Sequence, residues 1–359
     1  MPPPSGAKWC TPCPKPFSDH VYKTVQGVDV PLRIWPAENP SDEPLPWLLW
    51  IHGGGWAGGY HTRMVGWVHP AFHGRQYHIV SVGYRLIPHV GFNEQVEDLV
   101  DSFKWCREHL PTMISVDLER YAVAGDSAGG YFSSLSPHIF SPAPKAIINI
   151  YGPTNFTGPW ANPTPLSPEE LDAAFSKIEF LDSDRKREQL DAYWAERDPS
   201  KAMTVAPWWW EFDIPQGEHE AYHGVTSVNR GDEERLVMDV YRWVAATRTR
   251  ITNWFRKEDF NSQEEYDKFV RKASPLFGIT KDHPPTFILH GTADTAVPIE
   301  QNYVYEKTLK EAGVPVNSRY DEGGEHSFDA RILDEKSEDW QMYIVPAMDF
   351  IDQHVKRSR

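Results

Sequence analysis

A serine flanked by glycines follows an apolar run in the first half of the chain. Residues 125–130 read Gly-Asp-Ser-Ala-Gly-Gly, directly after the strand-like residues 121–124. A Gly-x-Ser-x-Gly turn between a strand and a helix needs its glycines because side chains would not fit, and it lifts the serine oxygen above the sheet edge. The pattern therefore predicts Ser127 as a nucleophile, with the N–H of Ala128 beside it at a helix N-terminus.

Three consecutive glycines follow an earlier apolar segment, where residues 52–56 read His-Gly-Gly-Gly-Trp. Such glycines leave backbone N–H groups free to point at a ligand. In acyl transfer each such donor to the oxyanion is worth about 3–4 kcal/mol. We expect Gly54, Gly55 and Ala128 to form this oxyanion hole, with Gly53 as a further candidate donor. The Lys-Ser/Thr pair of a phosphate-binding loop is missing.

A serine hydroxyl is a weak nucleophile unless a base lies next to it. After a nucleophile of this type, the acid and then the histidine follow along the chain. Asp294 comes just after the strand-like residues 287–289, and His326 lies in the Gly-rich segment 323–328. Three other acids lie near this histidine: Asp321, Glu322 and Glu325. They are too close to it in sequence for the usual placement at a strand end, so we predict Asp294 as the acid and His326 as the base.

Together these motifs resemble the hormone-sensitive-lipase-like branch of the α/β-hydrolase family. The residues that match are 52–56, 84–86 (Tyr-Arg-Leu), 125–130, Asp294 and His326. The resemblance covers residues 28–153 and 274–352. It implies a mostly parallel eight-stranded sheet flanked by helices, a large and mainly helical cap, no cofactor and no metal. The surroundings of Asp294, His-Gly-x-x-Asp-x-x-Val-Pro, are more similar to the peptidase-like and formamidase-like branches.

Strand-like and helical patterns alternate along most of the chain, which is typical of an α/β fold. The alternation breaks between residues 155 and 271, where prolines are followed by charged helical patterns. We therefore divide the chain into an N-terminal arm (1–20), an α/β-hydrolase catalytic domain (21–154 and 272–359) and a cap insertion (155–271).

Four tryptophans are candidates for the substrate pocket: Trp56, Trp208, Trp209 and Trp210. Aromatic side chains form the walls of many apolar binding sites. The three consecutive tryptophans lie in the predicted cap and could equally form its core.

Two further motifs match known signatures but lie in unsuitable surroundings. His219-Glu220-Ala221-Tyr222-His223 matches the His-Glu-x-x-His zinc signature, which needs a stable helix, but prolines and glycines surround it. We expect a polar loop there and no metal. Trp9-Cys10-Thr11-Pro12-Cys13 resembles a thioredoxin motif but lies in a Pro-rich arm, so the roles of Cys10 and Cys13 stay open. Cys106 lies on the apolar face of a predicted helix and is expected in the core.

Composition restricts the classes of partner. The formal net charge is -15 and no long basic run is present, which argues against nucleic acid. No stretch of about 18 apolar residues predicts a membrane span. The start of the chain lacks an apolar signal region and there are three cysteines, which favours a reducing, cytoplasmic location. The sequence leaves open whether the chain forms a homodimer.

The functional prediction is a carboxylesterase-like serine hydrolase. Its substrate would be a small to medium apolar or aromatic ester, or an amide, cleaved through an acyl-enzyme. The first alternative is non-hydrolytic use of the same triad, in acyl transfer, lactonisation, dehydration or cyclisation of a biosynthetic intermediate. The second is a non-catalytic ligand-binding receptor, which the presence of Ser127, Asp294 and His326 disfavours.

Overall fold

The computed structural model describes residues 13–39, 43–179, 181–208, 211 and 231–356. Within these ranges, α-helices pack on both faces of an eight-stranded sheet. The strands are β1 (Ser18–Val25), β2 (Val28–Trp35), β3 (Leu45–Ile51), β4 (His78–Val82), β5 (Val116–Asp126), β6 (Ala146–Ile150), β7 (Thr286–Gly291) and β8 (Val316–Asp321). The helices are α1 (Val68–Gly74), α2 (Phe92–Met113), α3 (Ala128–Ile139), α4 (Pro168–Phe175), α5 (Arg187–Ala195), α6 (Asp232–Thr247), α7 (Arg250–Trp254), α8 (Gln263–Ala273), α9 (Glu300–Glu311) and α10 (Val345–Val355).

The strand order is β1-β2-β4-β3-β5-β6-β7-β8. The first two strands form an antiparallel pair, and β2 is also antiparallel to β4. All other neighbours are parallel. The mostly parallel eight-stranded sheet flanked by helices that the sequence predicts is therefore confirmed.

The central strands are continuous apolar runs because helices cover both of their faces. In β3, Trp47, Leu49 and Ile51 pack on one side of the sheet. Leu48 and Trp50 pack on the opposite side. This alternation is the two-residue period of a strand, and it joins both layers of core to one strand.

The carboxyl ends of the parallel strands lie at one edge of the sheet. Ile51 at the end of β3 is opposite Gly125 near the end of β5. Gly291 at the end of β7 is likewise opposite Asp321 at the end of β8. The loops that follow these strands carry the predicted catalytic and oxyanion-hole residues, so the register of the strands brings these residues together.

The connection from β6 to β7, residues 151–285, contains helices α4 to α8, and the last of these helices ends at Ala273, two residues beyond the predicted end of the insertion at residue 271. Helix α4 begins with a capping box, in which Ser167 accepts a hydrogen bond from the N–H of Glu170 and the Glu170 side chain accepts one from the N–H of Ser167. Helix α6 begins at Asp232 and has three acidic residues in its first turn, which stabilise the N-terminus of the helix. The segment is thus mainly helical in its described part.

The sequence predicts that the N-terminal arm ends at residue 20, and this boundary is wrong. Strand β1 already begins at Ser18, which pairs with Ile34 of β2. Asp19 accepts a hydrogen bond from the buried Arg33 at 2.7 Å. Polar residues concealed this strand because it lies at the edge of the sheet, where side chains meet solvent.

Two of the three cysteines lie in the described part of the chain, and both are free thiols. Cys13 is half-buried and lies 3.8 Å from Arg33 Nη1. Cys106 is buried in the core, as its position on an apolar helix face predicts. Cys10 lies outside the described residues.

Candidate active site

Ser127 lies in the tight turn between β5 and α3. Its backbone has φ 52° and ψ −115°, an unfavourable conformation for a residue with a side chain. Its N–H donates to the carbonyl of Ile150 at 2.8 Å, which fixes the turn against β6. A Cβ atom on Gly125 would lie 2.4 Å from the Ile51 carbonyl oxygen, and one on Gly129 only 1.9 Å from it. Both glycines are therefore required by the close approach of β3.

The structure brings the three predicted catalytic side chains together from three separate loops. His326 Nε2 lies 3.1 Å from Ser127 Oγ. On the other side of the ring, His326 Nδ1 lies 2.7 Å from Asp294 Oδ2. This geometry lets the imidazole accept a proton from the serine while the carboxylate orients the ring.

The Asp294 carboxylate is buried and strongly hydrogen-bonded. Its Oδ1 accepts from the N–H groups of Ala296 and Val297 at 2.8 and 2.9 Å. Burial alone would raise the pKa of Asp294, but hydrogen bonds from His290 and His326 outweigh it and hold the pKa below its usual range. The acid is therefore ionised when it faces His326.

His290 is a contributor that the sequence did not reveal. Its Nε2 lies 3.1 Å from Asp294 Oδ2 and 3.0 Å from the Val297 carbonyl oxygen. Its Nδ1 lies 2.7 Å from Asn302 Nδ2, which can only donate. The ring of His290 therefore accepts a hydrogen bond at Nδ1. Its Nε2 carries a proton and donates a hydrogen bond towards Asp294. Its position four residues before the acid was the available signal.

The glycine-rich loop after β3 folds beside the elbow. Its Gly53 N–H donates to Asp126 Oδ1 at 2.9 Å, so Gly53 is occupied and the prediction of this residue as a further oxyanion donor is wrong. Gly54 and Gly55 have positive φ values of 115° and 55°. Within the described part of the chain, the N–H groups of Gly54, Gly55 and Ala128 donate no hydrogen bond to the protein.

A cavity of about 760 Å³ opens above Ser127. Trp208 contributes to its wall, together with Tyr60, Arg63 and Tyr241. Trp209 and Trp210 lie outside the described residues.

Trp56 does not line this cavity, contrary to the prediction. It is buried and stacks on Trp254 with ring centroids 3.9 Å apart. Tyr131 and Phe156 meet it edge-on. The sequence could not separate a pocket wall from the core here, because Trp254 is distant in the chain.

A second group of side chains supports the histidine from behind. The ring of Tyr151 lies 4.7 Å from that of His326. Its hydroxyl donates to Asp329 Oδ1 at 2.9 Å, and Trp67 Nε1 donates to Oδ2 at 2.8 Å. Burial raises the pKa of Asp329 to about 6, although both hydrogen bonds oppose the shift. No pattern in the sequence pointed to this group.

The sequence predicts neither a zinc site nor a membrane span. The residues of the His-Glu-x-x-His match, including His219 and His223, lie outside the described residues. Over the described ranges, no cluster of three or more His, Cys, Asp or Glu side chains is arranged to hold a metal ion. In the same ranges, no helix has the length and apolar character needed to cross a membrane.

Comparison with protein families supports the assignment of the fold. Residues 48–216 match the model of the alpha/beta hydrolase fold, and residues 234–309 match a second family model, BD-FAE. Together with the order and direction of the strands, these matches show that the chain has the α/β-hydrolase fold. The resemblance to the hormone-sensitive-lipase-like branch that the sequence predicts is confirmed.

Solved structures with a similar fold include several esterases. The Pyrobaculum calidifontis esterase aligns with TM-score 0.56 and 18% identity, over 97% of this chain and 89% of its own. EstE1, a carboxylesterase cloned from a metagenomic library, aligns with TM-score 0.55 and 19% identity, over 97% and 92%. At these identities the comparison shows the fold alone.

Curated relatives by sequence are much longer proteins. The non-reducing polyketide synthase ascC of Acremonium egyptiacum is 26% identical over 358 residues, which is 92% of this chain and 15% of that protein. The non-reducing polyketide synthase pkbA of Emericella nidulans is 26% identical over 373 residues, 93% of this chain and 14% of that protein. The chain thus spans about 15% of the length of these relatives.

Proposed function

We propose that this protein is a serine hydrolase that cleaves a carboxylic ester, or an amide, through an acyl-enzyme. The observation that carries the proposal is the continuous chain of contacts from Ser127 Oγ through His326 to Asp294, with distances of 3.1 and 2.7 Å. A serine, a histidine and a buried carboxylate in this order form the arrangement that activates a hydroxyl for attack on a carbonyl.

The first chemical step is attack by Ser127. As its oxygen bonds to the substrate carbonyl carbon, His326 Nε2 takes its proton, and Asp294 stabilises the imidazolium. The N–H groups of Gly54, Gly55 and Ala128 serve as donors to the developing oxyanion. His326 then returns the proton to the leaving alcohol or amine, and the acyl group stays on the serine.

The second step releases the acid. Water enters, His326 accepts one of its protons, and the resulting hydroxide attacks the acyl carbon. Collapse of this second tetrahedral intermediate breaks the bond to Ser127 Oγ, which takes its proton back from the imidazolium. No cofactor takes part.

The cavity and the insertion indicate the substrate range. We assign residues 155–271 as a cap over the catalytic domain of residues 21–154 and 272–359. A volume of about 760 Å³ fits a small to medium ligand, and Trp208 and Tyr241 favour apolar or aromatic groups. We retain a cytoplasmic location as an expectation from the sequence.

A second candidate function is acyl transfer, lactonisation or cyclisation of a biosynthetic intermediate by the same triad. The observation that favours it is that the longer relatives are polyketide synthases by name. In transfer or lactonisation a hydroxyl of the intermediate, instead of water, attacks the acyl-enzyme, and in cyclisation a carbon nucleophile does so; in each case Ser127 Oγ leaves and takes its proton back from His326.

The test of the first candidate is a panel of p-nitrophenyl esters and aryl formamides, hydrolysed by wild type and by Ser127→Ala. We expect the alanine variant to lose activity by a factor of about 10³ or more. A fluorophosphonate probe should label wild type and not the variant. Full activity in Ser127→Ala would refute the mechanism, and a folded wild type that no probe labels would instead favour a receptor.

Labelled water separates the two candidates. Hydrolysis places one ¹⁸O atom from the solvent in the acid product. Product without the label, formed by active enzyme, would favour transfer to a hydroxyl.

A further inference from the structure

A short helix of the insertion contacts two consecutive residues of the glycine-rich loop. A Cβ atom on Gly55 would lie 2.4 Å from Arg250 Nη1 and 3.1 Å from its Cζ. The guanidinium therefore occupies the space beside Gly55 that a side chain would fill. The next residue, Trp56, stacks on Trp254 with ring centroids 3.9 Å apart. Arg250 and Trp254 are four residues apart on α7, so one face of this helix carries both contacts.

The contact brings a positive charge close to the proposed oxyanion donors. A Cβ position is about 2.5 Å from the nitrogen of its own residue, so Arg250 Nη1 lies within about 5 Å of the Gly55 nitrogen. Gly55 has a φ of 55°, a left-handed conformation that glycine adopts without strain. The missing side chain thus permits both the conformation of the loop and the close approach of Arg250.

The protein supplies this guanidinium with neutral partners. Its Nη2 lies 3.4 Å from the Tyr241 carbonyl oxygen, and its Cζ lies 4.3 Å from the centre of the Tyr241 ring. Its Nε is buried and has no hydrogen-bond partner in the described part of the chain. Within the same ranges, no carboxylate forms an ion pair with Arg250. A carbonyl oxygen and a ring face attract a cation but have no net charge, so the charge of Arg250 is not cancelled.

Two arginines that line the cavity differ from Arg250 in this respect. Arg63 Nε lies 3.6 Å from Glu211 Oε1. Both terminal nitrogens of Arg331 donate to Asp321 at 2.9 Å. A paired carboxylate cancels most of the field of a guanidinium at longer distances, because the two charges have opposite signs. The field of Arg250 therefore reaches the glycine-rich loop without this loss.

We propose that Arg250 is a positioning residue of the oxyanion hole: its guanidinium holds Gly55 in place, and its charge strengthens the loop N–H groups as donors to the oxyanion. This inference rests on the proposed function. The negative charge develops only after Ser127 attacks, so a fixed positive charge beside Gly54 and Gly55 lowers the barrier without tightening the binding of the neutral ester. The insertion thereby affects the chemical step as well as the choice of substrate.

The test compares neutral and charged replacements of Arg250 in the hydrolysis of p-nitrophenyl butyrate. Methionine keeps an unbranched side chain beside the loop but removes the charge, whereas lysine keeps the charge. We expect Arg250→Met to lower kcat about 10-fold and to change KM by less than about 2-fold. Arg250→Gln, a second neutral variant, should behave in the same way. Arg250→Lys should keep at least about a third of the wild-type kcat.

A boronic acid measures the same effect without turnover. When phenylboronic acid binds, Ser127 Oγ bonds to the trigonal boron, the serine proton moves to His326 Nε2, and the tetrahedral boronate carries a negative charge. We expect Arg250→Met to weaken this binding about 10-fold and Arg250→Lys to retain most of it. Equal losses of kcat in the neutral and charged variants, or unchanged boronate binding by Arg250→Met, would overturn the role of Arg250.

Arg271→Met is the matched control. Arg271 also belongs to the insertion, and its Cζ lies 3.7 Å from the centre of an aromatic ring, that of Phe277, but it does not line the cavity. Its kcat and boronate affinity should stay at the wild-type values. A wild type that neither hydrolyses the ester nor binds the boronate would refute the proposed function, and this inference with it. A wild type that does both, with no change in Arg250→Met, would refute the inference alone.

Discussion

His290 Nε2 lies 3.1 Å from Asp294 Oδ2, the carboxylate oxygen that also faces His326. Asn302 fixes the tautomer of His290 from the far side. The acid of the candidate triad is thus held by a second, fully buried histidine that donates a hydrogen bond in its neutral form.

Replacing this histidine tests its role. We expect His290→Leu to lower kcat by about 10-fold, because a hydrogen bond to a charged group is worth about 1.5 kcal/mol or more. His283→Leu is the control, since His283 is also buried and contacts the Tyr305 hydroxyl at 3.2 Å, away from the acid. Equal losses of kcat in both variants would contradict the role of His290.

The raised pKa of the buried Asp329 makes the stability of the protein depend on pH. Its pKa rises from 3.8 to about 6 in the folded state because of burial. The folded protein therefore holds this proton more tightly than the unfolded chain. The contribution of Asp329 to stability is complete below about pH 4 and is lost as the pH rises through 6, by about 3 kcal/mol in total.

The measurement is urea unfolding of wild type and Asp329→Asn between pH 4 and pH 7. As the pH rises from 4 to 7, the unfolding free energy of wild type should fall relative to that of Asp329→Asn. Parallel curves would mean that Asp329 does not titrate in this way.

Gly129 lies where β3 approaches the elbow. In Gly129→Ala the new Cβ would lie 1.9 Å from the Ile51 carbonyl oxygen. We expect a loss of about 3 kcal/mol or more in unfolding free energy. Gly74→Ala is the control, because nothing lies within 4 Å of its Cβ position, and it should change stability by less than about 1 kcal/mol. A stable Gly129→Ala protein would contradict the described packing.

Trp254 joins the helical insertion to the glycine-rich loop through its stack on Trp56. We expect Trp254→Ala to cost about 3–5 kcal/mol and to make the insertion more sensitive to proteases. Trp105→Ala should have a smaller effect, because Trp105 is half-buried and stacks on His109 on α2. Urea unfolding and limited proteolysis measure both variants. Similar results for the two would contradict the docking role of Trp254.

The sequence was sufficient wherever one local pattern determines the outcome. The elbow around Ser127 needs its glycines, and the central strands are apolar because both faces are buried. Chain order then selected Asp294 and His326 as candidates from many acids and histidines, and the structure places His326 in contact with both Asp294 and Ser127. These predictions depend on residues that are neighbours in sequence or on the fixed order of a known fold.

Contacts between distant segments could not be predicted in the same way. The hydrogen bond from the Gly53 N–H to Asp126 distinguishes Gly53 from the other glycines of its loop. This bond joins two residues that are 73 positions apart in the chain. The stack of Trp56 on Trp254 and the bond from Tyr151 to Asp329 are of the same kind. In each case the side chain has several compatible roles, and only the three-dimensional packing selects one.

The helical insertion leaves the sheet after β6 and returns before β7, and these two strands are neighbours in the sheet. Neighbouring strands are about 5 Å apart, so a connecting segment of almost any length can join them at a small cost in loop entropy. Ser127 precedes this junction, whereas Asp294 and His326 follow it. Evolution or engineering can thus exchange the insertion as a module, which would change selectivity while the reactive residues keep their places.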